Sequence, residues 1–245
     1  MRQRSAIAVV LLIALLIAGC GLGGRHFSGA RVYKHVTKLC DLGPRPVGSQ
    51  ANRGASDYVA RILDREGWEV EVQDFAYKGE RLRNVIGSKG QGPLVVLGAH
   101  YDTRPVADRD PGDRSQPVLG ANAGASGVAV LLELARVLGP SATDQAEIRL
   151  AFFDGGDRED IDAWPRAVGA RHMLGQMISE GSPRPRYVVV LEMVGDGDQR
   201  FYYDWSSMLW LQEKIWHIAS GLGYSQQFVA EHGHRIQGDH TPFLQ

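Results

Sequence analysis

The chain has 245 residues, 44% hydrophobic, 22% charged and 8% aromatic, with 30 Gly, 11 Pro and 2 Cys. That composition is too apolar for a disordered chain and too poor in cysteine for a disulfide scaffold, and no run of about 18 apolar residues is present to span a bilayer. With 27 basic against 28 acidic residues there is no electrostatic footprint for nucleic acid and no polybasic membrane run, and the length fits one large domain or at most two small ones.

Arg2 and Arg4 precede an unbroken apolar stretch from Ala6 to Ala18, which suits a signal h-region and is short for a transmembrane helix. It ends in Leu16-Ile17-Ala18-Gly19-Cys20, which resembles the lipobox of bacterial lipoproteins. That resemblance implies removal of residues 1–19 and a lipid on Cys20. An ordinary signal peptide or an uncleaved anchor is the alternative. The expected product is exported and lipid-anchored, at the bacterial cell membrane or in the periplasm. Removing residues 1–19 takes away two arginines and leaves 25 basic against 28 acidic residues. Residues 20–30 then read as a linker and 31–245 as the folded domain. Cys40, the only other cysteine, lies in an apolar-periodic segment and is expected to be a buried, inert thiol.

Helical spacing runs from Arg31 to Leu42, stopped by Gly43-Pro44-Arg45-Pro46, and again from Asn52 to Glu66, closed by Gly67. Trp68 to Phe75 alternates as a half-buried strand with Trp68, Val70 and Val72 inward, and Arg83 to Gly87 is placed to pair with it. Leu94–Ala99, Ile148–Phe153 and Tyr187–Leu191 are nearly continuous apolar runs, as expected of strands buried on both faces. Helical patterns lie between and after them at Gly124–Leu138, Pro165–Glu180 and Ser206–Leu222. The alternation predicts an α/β fold, a three-layer αβα sandwich around a mixed, mostly parallel sheet. In such folds ligands bind beyond the carboxyl ends of the strands.

Chemistry-bearing residues stand at those ends. The first buried strand runs into His100-Tyr101-Asp102, where an imidazole can bind zinc and a carboxylate two residues on can hold its other ring nitrogen. The second ends Asp154-Gly155-Gly156-Asp157, the third Leu191-Glu192-Met193, and near the C-terminus stands Gly238-Asp239-His240-Thr241-Pro242. One His after a strand is more often structural than a ligand; three strand ends carrying His or carboxylate make a stronger signal.

These segments, together with Leu119-Gly120-Ala121-Asn122-Ala123-Gly124 leading into a Leu-rich helix, resemble the zinc exopeptidase family that contains bacterial secreted aminopeptidases and glutaminyl-peptide cyclotransferases. The resemblance runs from about Leu42 to the last residue and extends to Gly43-Pro44-Arg45-Pro46. It implies a zinc enzyme acting on the N-terminus of a peptide or protein, with His100, Asp157, Glu192 and His240 as metal ligands, Asp102 behind His100, and Glu192 and Asp102 as catalytic groups. Phe152-Phe153-Asp154-Gly155 and the Asp239-His240 loop lean the resemblance toward the cyclotransferases, with a zinc aminopeptidase as the alternative. Two positions depart from the pattern: Ala123 replaces the family's zinc-ligand Asp, and Gly156 replaces its general-base Glu. Loss of a general base typically costs about 10²–10⁴-fold in rate, so impaired catalysis, or a non-catalytic lipoprotein relative, is also implied. The family also carries a further strand and closing helix after the Asp239-His240 loop, so the fold is expected to lack them and to expose a sheet edge.

Other features have plainer readings. His232-Gly233-His234 and Asp108-Arg109-Asp110-Pro111-Gly112-Asp113 read as solvated loops. Trp164, Trp205, Trp210 and Trp216 divide between pocket lining and core. The Gly-rich stretch at 120–127 lacks a phosphate-binding Lys and does not fit G-x-G-x-x-G, which disfavours nucleotide binding.

Overall fold

The computed structural model describes residues 25–244; the leader and Cys20, where export and lipidation are expected, lie outside them. Among the described residues no helix is long and apolar enough to cross a membrane. The first helices, α1 (Gly29–Cys40) and α2 (Gln50–Arg65), lead into strands β1 (Glu69–Tyr77), β2 (Glu80–Lys89) and β3 (Leu94–His100). Then come α3 (Ser126–Val137), a single turn α4 (Pro140–Thr143), β4 (Glu147–Phe153), α5 (Val168–Ser179) and β5 (Tyr187–Val190). The chain closes with β6 (Phe201–Tyr203), α6 (Leu209–Gly221), β7 (Phe228–His232) and a 3₁₀ turn at Thr241–Leu244.

The main sheet has the order β1-β2-β4-β3-β5. The β4-β3-β5 part is parallel, while β1-β2 and β2-β4 pair antiparallel. The sheet is mixed as expected but not mostly parallel: two of its four pairings are antiparallel, because β2 continues the β1 hairpin onto β4, and the parallel character is confined to the three strands that carry the site. β1 and β2 form a hairpin around Lys78 and Gly79, both with positive φ (48° and 83°). Two such residues in a row make the turn whose twist matches the flanking strands.

Side chains alternate along β4 and build both interiors. Ile148, Leu150 and Phe152 face α1, α2 and α3, joining Leu39, Val59, Leu63, Leu131 and Leu132. Ala151 and Phe153 face α5, where they join Val96, Met173 and Met177. Helices thus cover both faces of the sheet at β3, β4 and β5, which is why these three read as unbroken apolar runs. Trp68 ties the first layer together by donating its indole N–H to the Ala135 carbonyl at 2.9 Å.

Three local readings change. Along β1 the inward residue is Gln73, which accepts a hydrogen bond from Asn84 at 3.2 Å, while Val72 is exposed; α5 reaches the hairpin's edge strand where Phe75 stacks on His172 and where Gln176 donates to Glu71. Cys40 at the end of α1 is half-buried rather than buried. Trp210 lies on the exposed side of α6 against Tyr187, whereas Trp164 is buried beside Tyr77. β6 and β7, which have no counterpart in the sequence reading, pair in parallel as a separate two-stranded sheet, and Trp216 of α6 packs on it through its N–H to Val229.

Candidate active site

The register of the parallel strands sets the site. His100 ends β3 opposite Phe153 of β4, and Gly98 pairs with Val190 of β5. The segment after β4, residues 154–157, therefore emerges on one side of His100. The segment after β5 emerges on the other, where Leu191 N–H bonds to the Gly98 carbonyl at 2.8 Å.

Asp102 is fully buried and binds across this gap. Its carboxylate accepts the N–H groups of Gly156 (2.8 Å) and Asp157 (3.0 Å), and lies 3.3 Å from His100 Nδ1. Nδ1 also lies 3.1 Å from the Asp102 carbonyl, so it faces only acceptors and carries the ring proton. Nε2 then points at Glu192 Oε1, 3.3 Å away. Burial disfavours a charged ring, but Glu192 and Asp102 outweigh it and hold the His100 pKa well above its ordinary value. Burial also pushes the Glu192 carboxyl upward, and His100 more than offsets that, leaving it below the ordinary carboxylate range.

The remaining predicted ligands stand apart from this pair. Asp157 accepts the Arg104 N–H at 3.2 Å and lies 3.7 Å from the Arg104 guanidinium; burial pushes its pKa up to about 6. Arg104 itself joins Asp157 to Asp108 and Glu159. His240 enters the last 3₁₀ turn, where its Nε2 is buried without a hydrogen-bond partner and lies 3.7 Å from Asp204. Beside it Asp239 is also buried, with an unpartnered Oδ1 and a pKa pushed up to about 7 by burial. Ala123 is half-buried in the loop before α3, and the neighbouring Asn122 spends its side chain on Ser126 and on the Gly195 N–H.

At Gly156 the backbone lies so close to β3 that a Cβ would stand 2.6 Å from His100 Cβ and 2.8 Å from Cγ. Glu159 is likewise unavailable for chemistry, being within 3.4 Å of Arg104, Arg109 and Arg166. In the charged loop, Asp110 and Asp113 accept hydrogen bonds from their own turn.

A zinc ion held by nitrogen and oxygen at about 2.0–2.2 Å in tetrahedral geometry needs donors about 3.3–3.5 Å apart. His100 Nε2 and Glu192 Oε1 have that separation. Yet among the described residues no group of three His, Cys, Asp or Glu side chains converges to hold a metal ion. The donor set as it stands is a pair plus two orphaned atoms on the 238–241 turn, and falls short of a three-ligand zinc site.

The positions of the site loops depend on Arg45. This side chain is fully buried, and its guanidinium donates to the carbonyls of Leu39, Gly43, Tyr101, Leu119, Gly120 and Gly124 at 2.8–3.3 Å. It joins the turn after α1 to the exit of β3 and to the loop before α3. Asp154 does a similar service behind β4, accepting from Asn52, Arg83 N–H and Gly155 N–H at 2.9–3.0 Å.

A family model described as Peptidase family M28 matches residues 84–245. The chain belongs to this family. It is similar to the glutaminyl-peptide cyclotransferase of Drosophila melanogaster, 32% identical over 185 residues, covering 69% of this chain and 50% of that protein. Among solved structures it resembles a leucine aminopeptidase precursor of Bacteroides thetaiotaomicron (TM-score 0.81, 29% identity, 91% of this chain and 83% of the other). It also resembles the glutaminyl cyclase of the same organism bound to N-acetylhistamine (TM-score 0.80, 30% identity, 90% and 82%). The chain spans about half the length of the curated relatives it matches, 57% and 50% of the first two. Both branches named by the resemblance are thus represented among its M28 relatives.

Three residues of this candidate site carry no clear signal in the sequence. Asp239 stands beside a more conspicuous histidine, Asp204 follows a strand of only three residues, and Arg45 lies within a Gly-Pro helix-stop signal. Nothing in a proline-flanked arginine advertises complete burial.

Proposed function

We propose that this chain is a cyclotransferase-like member of the M28 family, acting on peptide N-termini at the ends of β3, β4 and β5, and that its catalysis is weak. The observation that carries the reading is the His100–Glu192 pair, backed by Asp102 and bordered by the buried Asp239. Glu192 remains 40% exposed and offers a carboxylate to an incoming α-ammonium. Cyclisation of an N-terminal glutamine forms a bond from the α-nitrogen to the γ-carbonyl carbon, breaks the bond to the amide nitrogen and releases ammonia. The proton lost by the α-amine has to reach that leaving nitrogen. With Gly156 at the family's general-base position, Glu192 is the nearest group placed to carry it. Zinc is expected from the relatives, but the residues described do not complete its site, and Ala123 is the position where a ligand is missing.

The exposed ring of Trp205, stacked on His232 at 3.8 Å, stands one residue from Asp204 and offers a peptide side chain an apolar surface. The reading includes the leader as a signal segment, with the folded unit at 31–245 joined by the 20–30 linker to a lipidated Cys20 in a bacterial envelope. A second reading, a non-catalytic relative that keeps the cleft, is favoured by the tight fit of Gly156 on His100, which leaves no room for a base there.

The test is a pair of assays on the purified full chain with added zinc, together with metal analysis. Glutamine-initiated peptides are expected to cyclise slowly and aminoacyl fluorogenic substrates to stay intact, with Glu192→Gln removing the cyclisation. Aminoacyl hydrolysis with two zinc ions per chain overturns the cyclase reading in favour of the aminopeptidase. Silence on both substrates, with peptide binding retained, establishes the non-catalytic reading.

A further inference from the structure

At the opposite end of the sheet from His100 lies a cavity of ≈120 Å³ between α1, α2 and α3, lined by Arg31, Lys34, His35, Tyr58, Arg65 and Arg136 among others. The directions of the helices put it there. α3 starts beside the site loops and ends at Val137, and α2 likewise runs away from the Arg45 cluster toward Arg65. A cavity of this size has room for a tetrahedral oxyanion.

The charge around it is one-sided. Arg25, Arg31, Lys34, Arg65 and Arg136 stand against Glu66 and Glu133. Glu133 is buried and engaged by Arg136 and by the Ser28 N–H; Glu66 is engaged by Arg25 and Arg65. Among the described residues Arg31 and Lys34 have no ion-pair partner. His35 and Tyr58 meet at 2.7 Å inside the cavity and supply a neutral hydrogen-bonding wall. This excess of cations in a chain whose formal charge is −1 is assembled from residues far apart in sequence, which is why no basic run betrays it.

The chain enters the fold at this end. Arg25 sits on Glu66, and the His26 carbonyl accepts from Arg136. Cys20 is five residues before Arg25, a reach of at most about 18 Å when fully extended. A lipid on Cys20 would hold the cavity within a short tether of the bilayer, where the field of anionic lipids acts over about a Debye length, 8–10 Å.

We propose that this cavity is a binding site for the phosphate of an anionic phospholipid headgroup, docking the α1–α2–α3 end on the membrane and turning the candidate active site away from it. The proposal rests on the lipid-anchor reading of the leader and is independent of the reaction catalysed.

The full chain, inserted in nanodiscs, provides the test. In phosphatidylcholine discs doped with phosphatidylglycerol, the ring signals of His35, assigned through His35→Gln, are expected to shift with the fraction of anionic lipid. In discs of phosphatidylcholine alone they stay in place. Arg31→Ala with Lys34→Ala is expected to weaken the apparent affinity for phosphatidylglycerol by about 30-fold, whereas Arg171→Ala on the other helix layer changes it less than about twofold. Identical spectra in the two discs overturn the proposal, as does a double variant that responds like the parent. A shift produced fully by inorganic phosphate in phosphatidylcholine discs, with nothing added by phosphatidylglycerol, overturns the headgroup as its source. The mass of the fragment carrying Cys20 reports the lipid itself, so failure of the anchor reading is seen separately from failure of the cavity.

Discussion

Gly156 and His100 compete for the same space, so restoring a glutamate at position 156 is not a simple repair. The obstruction begins at the Cβ, 2.6 Å from His100 Cβ, and both Gly156→Ala and Gly156→Glu are expected to lose about 1–3 kcal/mol of stability in urea unfolding. Equal losses for the two would assign the effect to crowding; a loss confined to the glutamate would assign it to buried charge. Arg45 is the other position where one side chain governs many atoms. Arg45→Ala leaves six carbonyl oxygens to find water or nothing, and a loss of about 3–5 kcal/mol is expected. Arg45→Lys, with three donors for six acceptors, should recover only part of it. Asp154 gives a pH dependence whose sign follows from its environment. Burial and the nearby Asp102 charge push its pKa up to about 7 from 3.8, so between those values the folded protein keeps a proton that the unfolded chain releases. Its contribution to stability therefore falls as pH rises through that window, by at most about 1.4 kcal/mol per unit, and Asp154→Asn should flatten the stability profile there. His100, Asp102 and Glu192 were legible in the sequence because each follows a continuous apolar run. Arg45, Asp204 and Asp239 were not, because their roles come from burial among segments that only the fold brings together.

At the scale of elements, buried strands and amphipathic helices were readable where a period extended over several residues. β3, β4 and β5 announced themselves by apolar continuity, and α1, α2, α3, α5 and α6 by helical spacing, with ends displaced by a few residues. β6, three residues long, is too short to carry a period, and its parallel partner β7 lies across a helix. β1 misled because its alternation matches a strand with one inward face, while the inward residue midway along it is Gln73, held by Asn84. The β1–β2 turn supplies a sharper test. Gly79 at φ 83° is the second residue of a two-residue hairpin turn, a conformation that costs a β-branched residue roughly 1–2 kcal/mol. Gly79→Val should lower the melting temperature accordingly, while Lys78→Asn should change it little, since asparagine tolerates positive φ but gives up the exposed Lys78 hydrogen bonds to the Asp162 and Ala163 carbonyls. Trp68→Phe tests the other end of the hairpin. It removes the donor to Ala135 in a buried setting and should cost about 1–3 kcal/mol, read by the same unfolding measurement.

For the molecule as a whole, composition and alternation were enough for a three-layer α/β fold. They were silent on the division of the sheet into a parallel half that carries the site and an antiparallel hairpin that does not. They were silent too on charge distribution, because Arg31, Lys34, Arg65 and Arg136 gather around one cavity from three different helices. The same clustering that conceals a feature from a linear reading can conceal damage from the fold. Residues 109–117 form an exposed loop with Arg109 and Arg114 open to solvent. Arg45 grips the chain on both sides of that loop, at Tyr101 before it and at Leu119, Gly120 and Gly124 after it. Trypsin is therefore expected to cut there first and yield two fragments on a denaturing gel that still elute as one particle under native conditions. In Arg45→Ala the same cut should release the halves or expose them to complete digestion. One buried guanidinium would then act as a non-covalent splint, keeping a nicked chain in register.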